Sequence, residues 1–215
     1  MLLFDRYGIR IFAVELPSSI PGRGPGRELA QRTAVKRLLR EIFPHRPDIR
    51  IGHTPAGAPF LIGANPSSPL PPISISHSRG LAAIAVGEPG MRLGIDTETP
   101  DRVSQLTRVA SRFLSPEQTD TWGSDAASLC WAWCIKEAAY KAASRPGLAL
   151  AWIPLPLEIP LNTVTPDGAI EIAGVSYHVL QVDTSPIDNA LVMLVFSDPL
   201  PSEGQPSDAP PVSSE

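Results

Sequence analysis

Two periods in the hydrophobic pattern predict two kinds of element. Residues 9–15 (IRIFAVE) alternate with the period of two that is typical of a strand. Apolar, β-branched runs predict further strands at 59–62, 73–78, 81–87, 91–98, 169–174, 176–183 and 190–197. Apolar residues at helical spacing predict long helices over 28–43 and 125–144. Strands and one long helix therefore occur in each half of the chain.

This order predicts an α+β fold of two similar lobes, 1–97 and 98–197, each with antiparallel strands and a long helix. The runs 81–87 and 91–98 flank a Pro-Gly turn and predict an antiparallel hairpin. Residues 49–72 are expected to be loop around the short strand 59–62. Short helical pieces are expected over 101–122, one of them beginning at Ser115-Pro116, and a disordered Pro/Ser-rich tail over 198–215.

Composition narrows the possible functions. The chain has 215 residues and a net charge of -4, which argues against a nucleic-acid binder with a broad basic face. No apolar run approaches the roughly 20 residues needed to span a bilayer. Charged residues inside the N-terminal apolar stretch argue against a secretory leader, so we expect a cytoplasmic protein with no membrane partner. Cys130 and Cys134 are expected to be small buried residues, although four-residue spacing leaves a metal pair conceivable.

Two carboxylates end the predicted strand 91–98. Asp96 and Glu98 are two residues apart, so a strand places both on one face. Like charges side by side are unfavourable unless a cation or water separates them, and oxygen ligands of this kind suit Mg²⁺. The alternative is a solvent-exposed strand end without a ligand, and the pair by itself does not decide between them.

The helix over 126–144 carries just three charged residues, Lys136, Glu137 and Lys141. An exposed Glu–Lys pair four residues apart would be ordinary. On a helix that is apolar around most of its circumference, however, such charges need partners to offset desolvation. A divalent ion shared by Glu137, Asp96 and Glu98 would provide a partner for the glutamate. A phosphate would provide one for the two lysines.

Basic and polar residues earlier in the chain are weaker candidates. His77 lies between serines in SISHS and is either a structural histidine or an anion contact. Arg32 and Lys36 lie on the predicted helix 28–43, either on a solvated face or on an edge that faces phosphate. The common phosphate-loop, dinucleotide and hydrolase-serine motifs are absent from the sequence.

Four motifs in order resemble one enzyme family. SISHS (74–78), GIDTE (94–98), FLSPEQ (113–118) and WCIKEAAYKA (133–142) resemble the 4′-phosphopantetheinyl transferases, in the surfactin-synthetase-activating subgroup. The resemblance spans roughly residues 28–145. It implies a pseudo-twofold, monomeric fold that binds coenzyme A in the cleft between two related lobes.

The resemblance also implies a role for each matching residue. It implies magnesium ligands at Asp96, Glu98 and Glu137, a coenzyme A phosphate contact at Lys141, and further coenzyme A contacts at Lys136, His77, Ser76, Arg32 and Lys36. The implied reaction moves phosphopantetheine from coenzyme A to a serine of an apo acyl or peptidyl carrier protein and releases adenosine 3′,5′-bisphosphate. Glu137 would accept the serine proton, Lys141 would stabilise developing charge, and Asp96 would hold the metal.

Three points stay open at this stage. Ala58 occupies a position where the family commonly has Lys or Arg, which bears on coenzyme A affinity. The carrier protein could dock on apolar residues of 101–123 such as Phe113, Leu114 and Trp122, with Arg108 and Arg112, or those apolar residues could simply pack the second lobe. The rival functions are a metal-dependent phosphodiesterase and a non-catalytic relative that binds coenzyme A or a carrier protein.

Overall fold

The structure is a computed structural model that describes residues 1–17, 24–64, 69–99, 102–123, 125–143, 147–156, 168–185, 187 and 190–199. In this part of the chain the strands are β1 Leu2–Arg6, β2 Ile9–Glu15, β3 Arg50–His53, β4 Pro59–Ile62, β5 Ile73–His77, β6 Leu81–Val86, β7 Leu93–Glu98, β8 Gly168–Ile172, β9 Val175–Gln181 and β10 Leu191–Phe196. The α-helices are α1 Pro25–Ile42, α2 Val103–Val109, α3 Pro116–Trp122 and α4 Ala126–Ala143.

The strands form antiparallel sheets, which confirms a mixed fold with antiparallel strands. The first sheet has the order β1-β2-β6-β5 and the second the order β7-β10-β9-β8, while β3 and β4 form a separate hairpin. That hairpin lies inside the region 49–72, so β3 was missed by the sequence pattern. The proposed two-lobe division and its pseudo-twofold symmetry remain predictions.

The predicted hairpin between residues 81–87 and 91–98 is wrong. β6 pairs with β2 and β5, whereas β7 pairs with β10, from Leu93 opposite Phe196 to Glu98 opposite Leu191. Between β6 and β7, Gly90 adopts a φ of 87°, a conformation that glycine permits. The turn therefore redirects the chain into the second sheet, and a Pro-Gly turn alone does not distinguish the two outcomes.

Serine side chains of β5 join the two sheets. Ser74 Oγ accepts a hydrogen bond from the Ile95 backbone N–H at 3.1 Å, and Ser76 Oγ accepts one from the Thr97 N–H at 3.2 Å. Both serines are buried. The edge of β7 that does not pair with β10 thus finds side-chain partners in place of a strand, which satisfies buried backbone donors.

Helix α4 packs closely against the second sheet, and Gly94 permits this approach. A Cβ at Gly94 would lie 1.9 Å from the Ala138 carbonyl oxygen and 2.7 Å from the Ala142 N–H nitrogen. Ala138 and Ala142 are themselves small and buried. Small residues on both elements therefore let the backbones of α4 and β7 meet directly.

Several smaller predictions have clear outcomes. The capping box of Ser115 and Gln118 confirms the predicted start of α3. Cys130 and Cys134 are buried, as expected. Phe113, Leu114 and Trp122 are only 0%, 3% and 5% exposed and lie in the core around α4, so of the two alternatives these apolar residues pack the core and do not offer a docking surface.

The predicted C-terminal tail and the expected absence of a membrane span can each be compared with the structure. Most of the predicted tail, from residue 200 onward, lies outside the described residues. Within the described residues, none of the helices has the length and apolar character needed to cross a membrane.

We predict that Gly94→Ala destabilises the protein by at least about 3 kcal/mol, because the added methyl group collides with helix backbone that cannot move aside. Gly26→Ala is the matched control: Gly26 lies in α1 and has no atom within 4 Å of an added Cβ. It should change the free energy of unfolding by no more than about 1 kcal/mol. Urea unfolding measures both, and equal stability of the two variants would contradict the close packing.

Candidate active site

The residues predicted from β5, β7 and α4 meet around Asp96. Asp96 Oδ1 accepts hydrogen bonds from Lys141 Nζ at 2.8 Å and from Ser76 Oγ at 2.9 Å. Lys141 Nζ also donates to the Ile95 carbonyl oxygen at 2.9 Å. Asp96 and Ser76 are buried, and the Lys141 side chain is 28% exposed. The Lys141 ammonium and the Asp96 carboxylate are therefore held side by side, and the lysine is partly exposed to solvent.

The second strand carboxylate, Glu98, has a different environment. Its Oε1 accepts hydrogen bonds from Trp133 Nε1 at 3.0 Å and from the Arg102 guanidinium. The Arg102 guanidinium also lies 6.0 Å from the centre of the Trp133 ring. No role was predicted for either partner from the sequence. Their spacing is nevertheless a usable signal, because Trp133 lies one helical turn before Glu137 and Arg102 lies four residues after Glu98.

Burial and like charge act on the carboxylates together. Burial raises the pKa of Glu98 to about 7, against the opposing effect of Arg102, and Asp96 raises it further. Glu137 is half-buried, and burial followed by the charge of Asp96 raises its pKa also, while Lys141 and Arg102 oppose the rise. Asp96 therefore acts electrostatically on acids from both β7 and α4.

Within the part of the chain that the structure describes, each strand carboxylate has one buried oxygen without a hydrogen-bond partner, Asp96 Oδ2 and Glu98 Oε2. An unpartnered buried oxygen is costly, and a hard cation would satisfy it. Hard oxygen donors of this kind fit Mg²⁺. Within the described ranges, no three His, Cys, Asp or Glu side chains converge closely enough to hold a metal ion, so the fit rests on these two oxygens with Glu137 nearby.

A cleft of about 1150 Å³ reaches the end of β5 at His77, the residue after Ser76; Asp96, Glu98, Glu137 and Lys141 are not part of its lining. It is bordered by α1, the β3–β4 hairpin and the end of β5, and its lining includes Arg32, Lys36 and His77. Arg40, Arg46 and Arg50 line it as well. The cleft thus brings together the predicted basic contacts from α1 with His77 and presents mostly positive charge.

His77 links the cleft to the acids. Loss of solvent around the ring lowers the pKa of His77, and the cations Lys141 and Arg27 act in the same direction, while Asp96 opposes them. A neutral imidazole can still donate one N–H to an anion.

Arg27 is a candidate that sequence analysis missed. It is 4% exposed, and its Nη2 donates to the carbonyl oxygens of Ser78 and Arg79. Its Nη1 is buried and has no hydrogen-bond partner among the described residues, and the same holds for Ser78 Oγ. Burial lowers the pKa of Arg27. A buried guanidinium with an unused donor beside His77 suits an anion, but a single arginine in a chain rich in arginine gives no sequence signal.

Lys136, expected from the family resemblance to contact coenzyme A, lies in a buried polar environment. Its side chain is 0% exposed. Its Nζ donates to Gln118 Oε1 at 2.7 Å and to the carbonyl oxygens of Leu150 and Ile153, both at 2.8 Å. Burial lowers its pKa to about 8. Adjacent residues on a helix point about 100° apart, so Glu137 and Lys136 have different neighbours.

The geometry defines an antiparallel α+β protein with a carboxylate–lysine group beside a basic cleft. A family model described as the 4′-phosphopantetheinyl transferase superfamily matches residues 92–178, from β7 through α4 into β9. The match covers less than half of the chain and includes Asp96, Glu98, Glu137 and Lys141. No curated protein matches the chain.

We predict that Glu98 makes stability depend on pH. Its pKa is about 7 in the folded protein against an ordinary 4.5, so the folded state holds more protons across this interval and stability falls as pH rises through it. The glutamine of Glu98→Gln cannot ionise. Between pH 5 and pH 8 the free energy of unfolding of this variant should therefore fall by roughly 2–3 kcal/mol less than that of the wild type. Urea unfolding in EDTA measures this difference, and parallel pH profiles would contradict the assignment.

Proposed function

We propose that the protein is a Mg²⁺-dependent 4′-phosphopantetheinyl transferase of the surfactin-synthetase-activating type. It moves the phosphopantetheine arm of coenzyme A to a serine hydroxyl of an apo acyl or peptidyl carrier protein and releases adenosine 3′,5′-bisphosphate. The observation that carries this proposal is the contact of Lys141 with Asp96, because it joins the two matching motifs in one group beside a basic cleft.

Asp96, Glu98 and Glu137 are the residues that would hold Mg²⁺. When bound, the ion neutralises charge on the pyrophosphate and polarises the attacked phosphorus. The unpartnered oxygens of Asp96 and Glu98 support this part of the proposal, since they present acceptors that no group among the described residues satisfies.

Two side chains of α4 would act on the reacting groups. Lys141 is held in place by Asp96 and the Ile95 carbonyl, so its charge is available to oxygens of the pyrophosphate without reorganisation. Glu137 would accept the proton of the attacking serine, and its raised pKa brings it closer to the range in which a carboxylate is an effective base. The serine oxygen forms a bond to the phosphorus that bears the pantetheine, and the bond to adenosine 3′,5′-bisphosphate breaks.

The basic cleft would bind the nucleotide part of coenzyme A. Arg32 and Lys36 on α1 lie on the same lining as His77, which supports a contact to the 3′-phosphate. Arg50 also lines it and could replace the basic residue that the family commonly has at Ala58, whereas the guanidinium of Arg46 is paired with Asp48. Ser76 would act through Asp96, to which it donates a hydrogen bond.

The proposal also covers the oligomeric state, the two lobes, the location of the enzyme and the approach of the carrier protein. The protein would act as a monomer, as the resemblance to the surfactin-synthetase-activating subgroup implies, and nothing in the reaction needs a membrane or nucleic acid. The two four-stranded sheets support two lobes related by a pseudo-twofold axis. We also propose a cytoplasmic location for the enzyme. The carrier protein would approach the exposed side of Lys141 and Glu137.

We predict that Glu137→Gln and Lys141→Met each lower transfer by at least about 100-fold, because they remove the base and the charge that stabilises the pyrophosphate. The assay mixes protein, apo carrier protein, coenzyme A and Mg²⁺ and weighs the carrier by mass spectrometry. Glu171→Gln, at an exposed position on β8, is the matched control and should transfer at the wild-type rate.

The same assay separates the rival functions. Folded wild-type protein that leaves every acyl and peptidyl carrier unmodified would contradict the transferase. Cleavage of coenzyme A without a carrier protein would indicate a phosphodiesterase, and tight coenzyme A binding without either reaction would indicate a binding module.

The cleft assignment gives a separate prediction. Arg32→Ala and Lys36→Ala should each weaken coenzyme A binding by about tenfold, because they remove a charge-assisted contact, and should affect 3′-dephospho-coenzyme A much less. Arg37→Ala removes an exposed cation of the same helix that does not line the cleft and should leave both affinities unchanged. Isothermal titration calorimetry measures the affinities, and equal losses for the two ligands would contradict the 3′-phosphate contact.

A further inference from the structure

Lys136 is surrounded by oxygen atoms of other parts of the chain. Its Nζ donates to Gln118 Oε1 at 2.7 Å, to the carbonyl oxygens of Leu150 and Ile153 at 2.8 Å, and to that of Ala151 at 3.3 Å. An ammonium group has three N–H donors, so these four acceptors occupy all of them. No donor remains for a ligand.

Gln118 extends the same network. Its Oε1 also accepts from the Ser115 N–H at 3.1 Å at the start of α3, and its Nε2 donates to the Ile153 carbonyl oxygen at 3.1 Å. Lys136 and Gln118 together tie three segments to one another: α4, the first turn of α3, and the 3-10 turn Leu150–Trp152.

The partners of Lys136 are neutral, and its side chain is fully buried. Removal of the ammonium would leave several acceptors unsatisfied, so the segment after α4 would lose its main polar link to the helix. Glu137 follows Lys136 directly, half-buried on another side of α4. The rotation and position of this turn of α4 decide where the Glu137 carboxylate lies relative to Asp96.

We infer that Lys136 is a positioning residue that fixes the Glu137 turn of α4 against residues 147–156 and α3, and that it does not contact coenzyme A. This inference rests on the proposed transferase function. Changes at Lys136 or Gln118 should therefore lower the rate of transfer and leave the binding of coenzyme A unchanged.

Steady-state kinetics of carrier modification test this assignment. Lys136→Met should lower kcat by about tenfold or more and leave the KM for coenzyme A within about twofold, because the lost interaction orients the base and binds no substrate. Lys136→Arg should behave like Lys136→Met, since a planar guanidinium does not fit a site built around one nitrogen. A phosphate contact predicts the opposite: a raised KM for Lys136→Met and recovery in Lys136→Arg.

Gln118 supplies a second test if Lys136→Met fails to fold. Gln118→Leu should lower kcat by about three- to tenfold with unchanged KM, and Gln118→Glu, which keeps the acceptor for Lys136, should retain more of the rate. Hydrogen exchange of residues 147–156 should be faster in Gln118→Leu than in wild type. A wild-type kcat in Gln118→Leu would overturn the inference.

The two proposals fail in different ways. If wild-type protein modifies no carrier, the transferase function fails, whatever the variants do. If wild-type protein is active and the Lys136 variants change the KM for coenzyme A with kcat unchanged, the function stands and the positioning role is wrong.

Discussion

Direct contact between the backbones of α4 and β7 determines where the chemical groups of this protein lie. Gly94 leaves no room for a methyl group between the strand and the carbonyl oxygen of Ala138. At this distance the lysine of α4 reaches the Asp96 carboxylate, and Glu137 comes under the influence of the same charge. A wider separation would leave Asp96 buried without its cation, which is strongly unfavourable.

The serines of β5 add a second constraint to the same strand. Ser74 and Ser76 satisfy backbone donors of β7, and Ser76 also donates to Asp96. One side chain thus joins the first sheet to the second and orients a carboxylate. The same contacts therefore serve stability and the candidate chemistry. β7 lies between β5 and α4, and each of these elements contacts Asp96 with one side chain.

Local patterns of the sequence predicted the elements well, because strand and helix periods involve neighbouring residues. The pairing of β7 was predicted wrongly, since its partner β10 lies far away in the chain and the turn at Gly90 permits either course. The Asp96 and Glu98 pair could be predicted from a period of two. Helix geometry sends Lys136 and Glu137 in different directions, but the environment that each side chain meets depends on what packs around α4, which a motif does not contain.

The electrostatics of the site follow from this packing. Glu98 is buried beside Trp133 and Arg102, and Asp96 lies next to Lys141, so negative charge is concentrated but not fully compensated. A cation that binds this group would relieve the burial cost of the carboxylates. The proposed magnesium affinity and the position of Glu137 would therefore both follow from this arrangement.

Anomalous diffraction from crystals grown with Mn²⁺ in place of Mg²⁺, together with coenzyme A, tests this account most directly. It predicts one manganese peak coordinated by the free oxygens of Asp96 and Glu98, with Glu137 directed toward it and the nucleotide in the basic cleft. A manganese ion bound elsewhere, or a Glu137 side chain directed into solvent in the presence of the metal and coenzyme A, would contradict it.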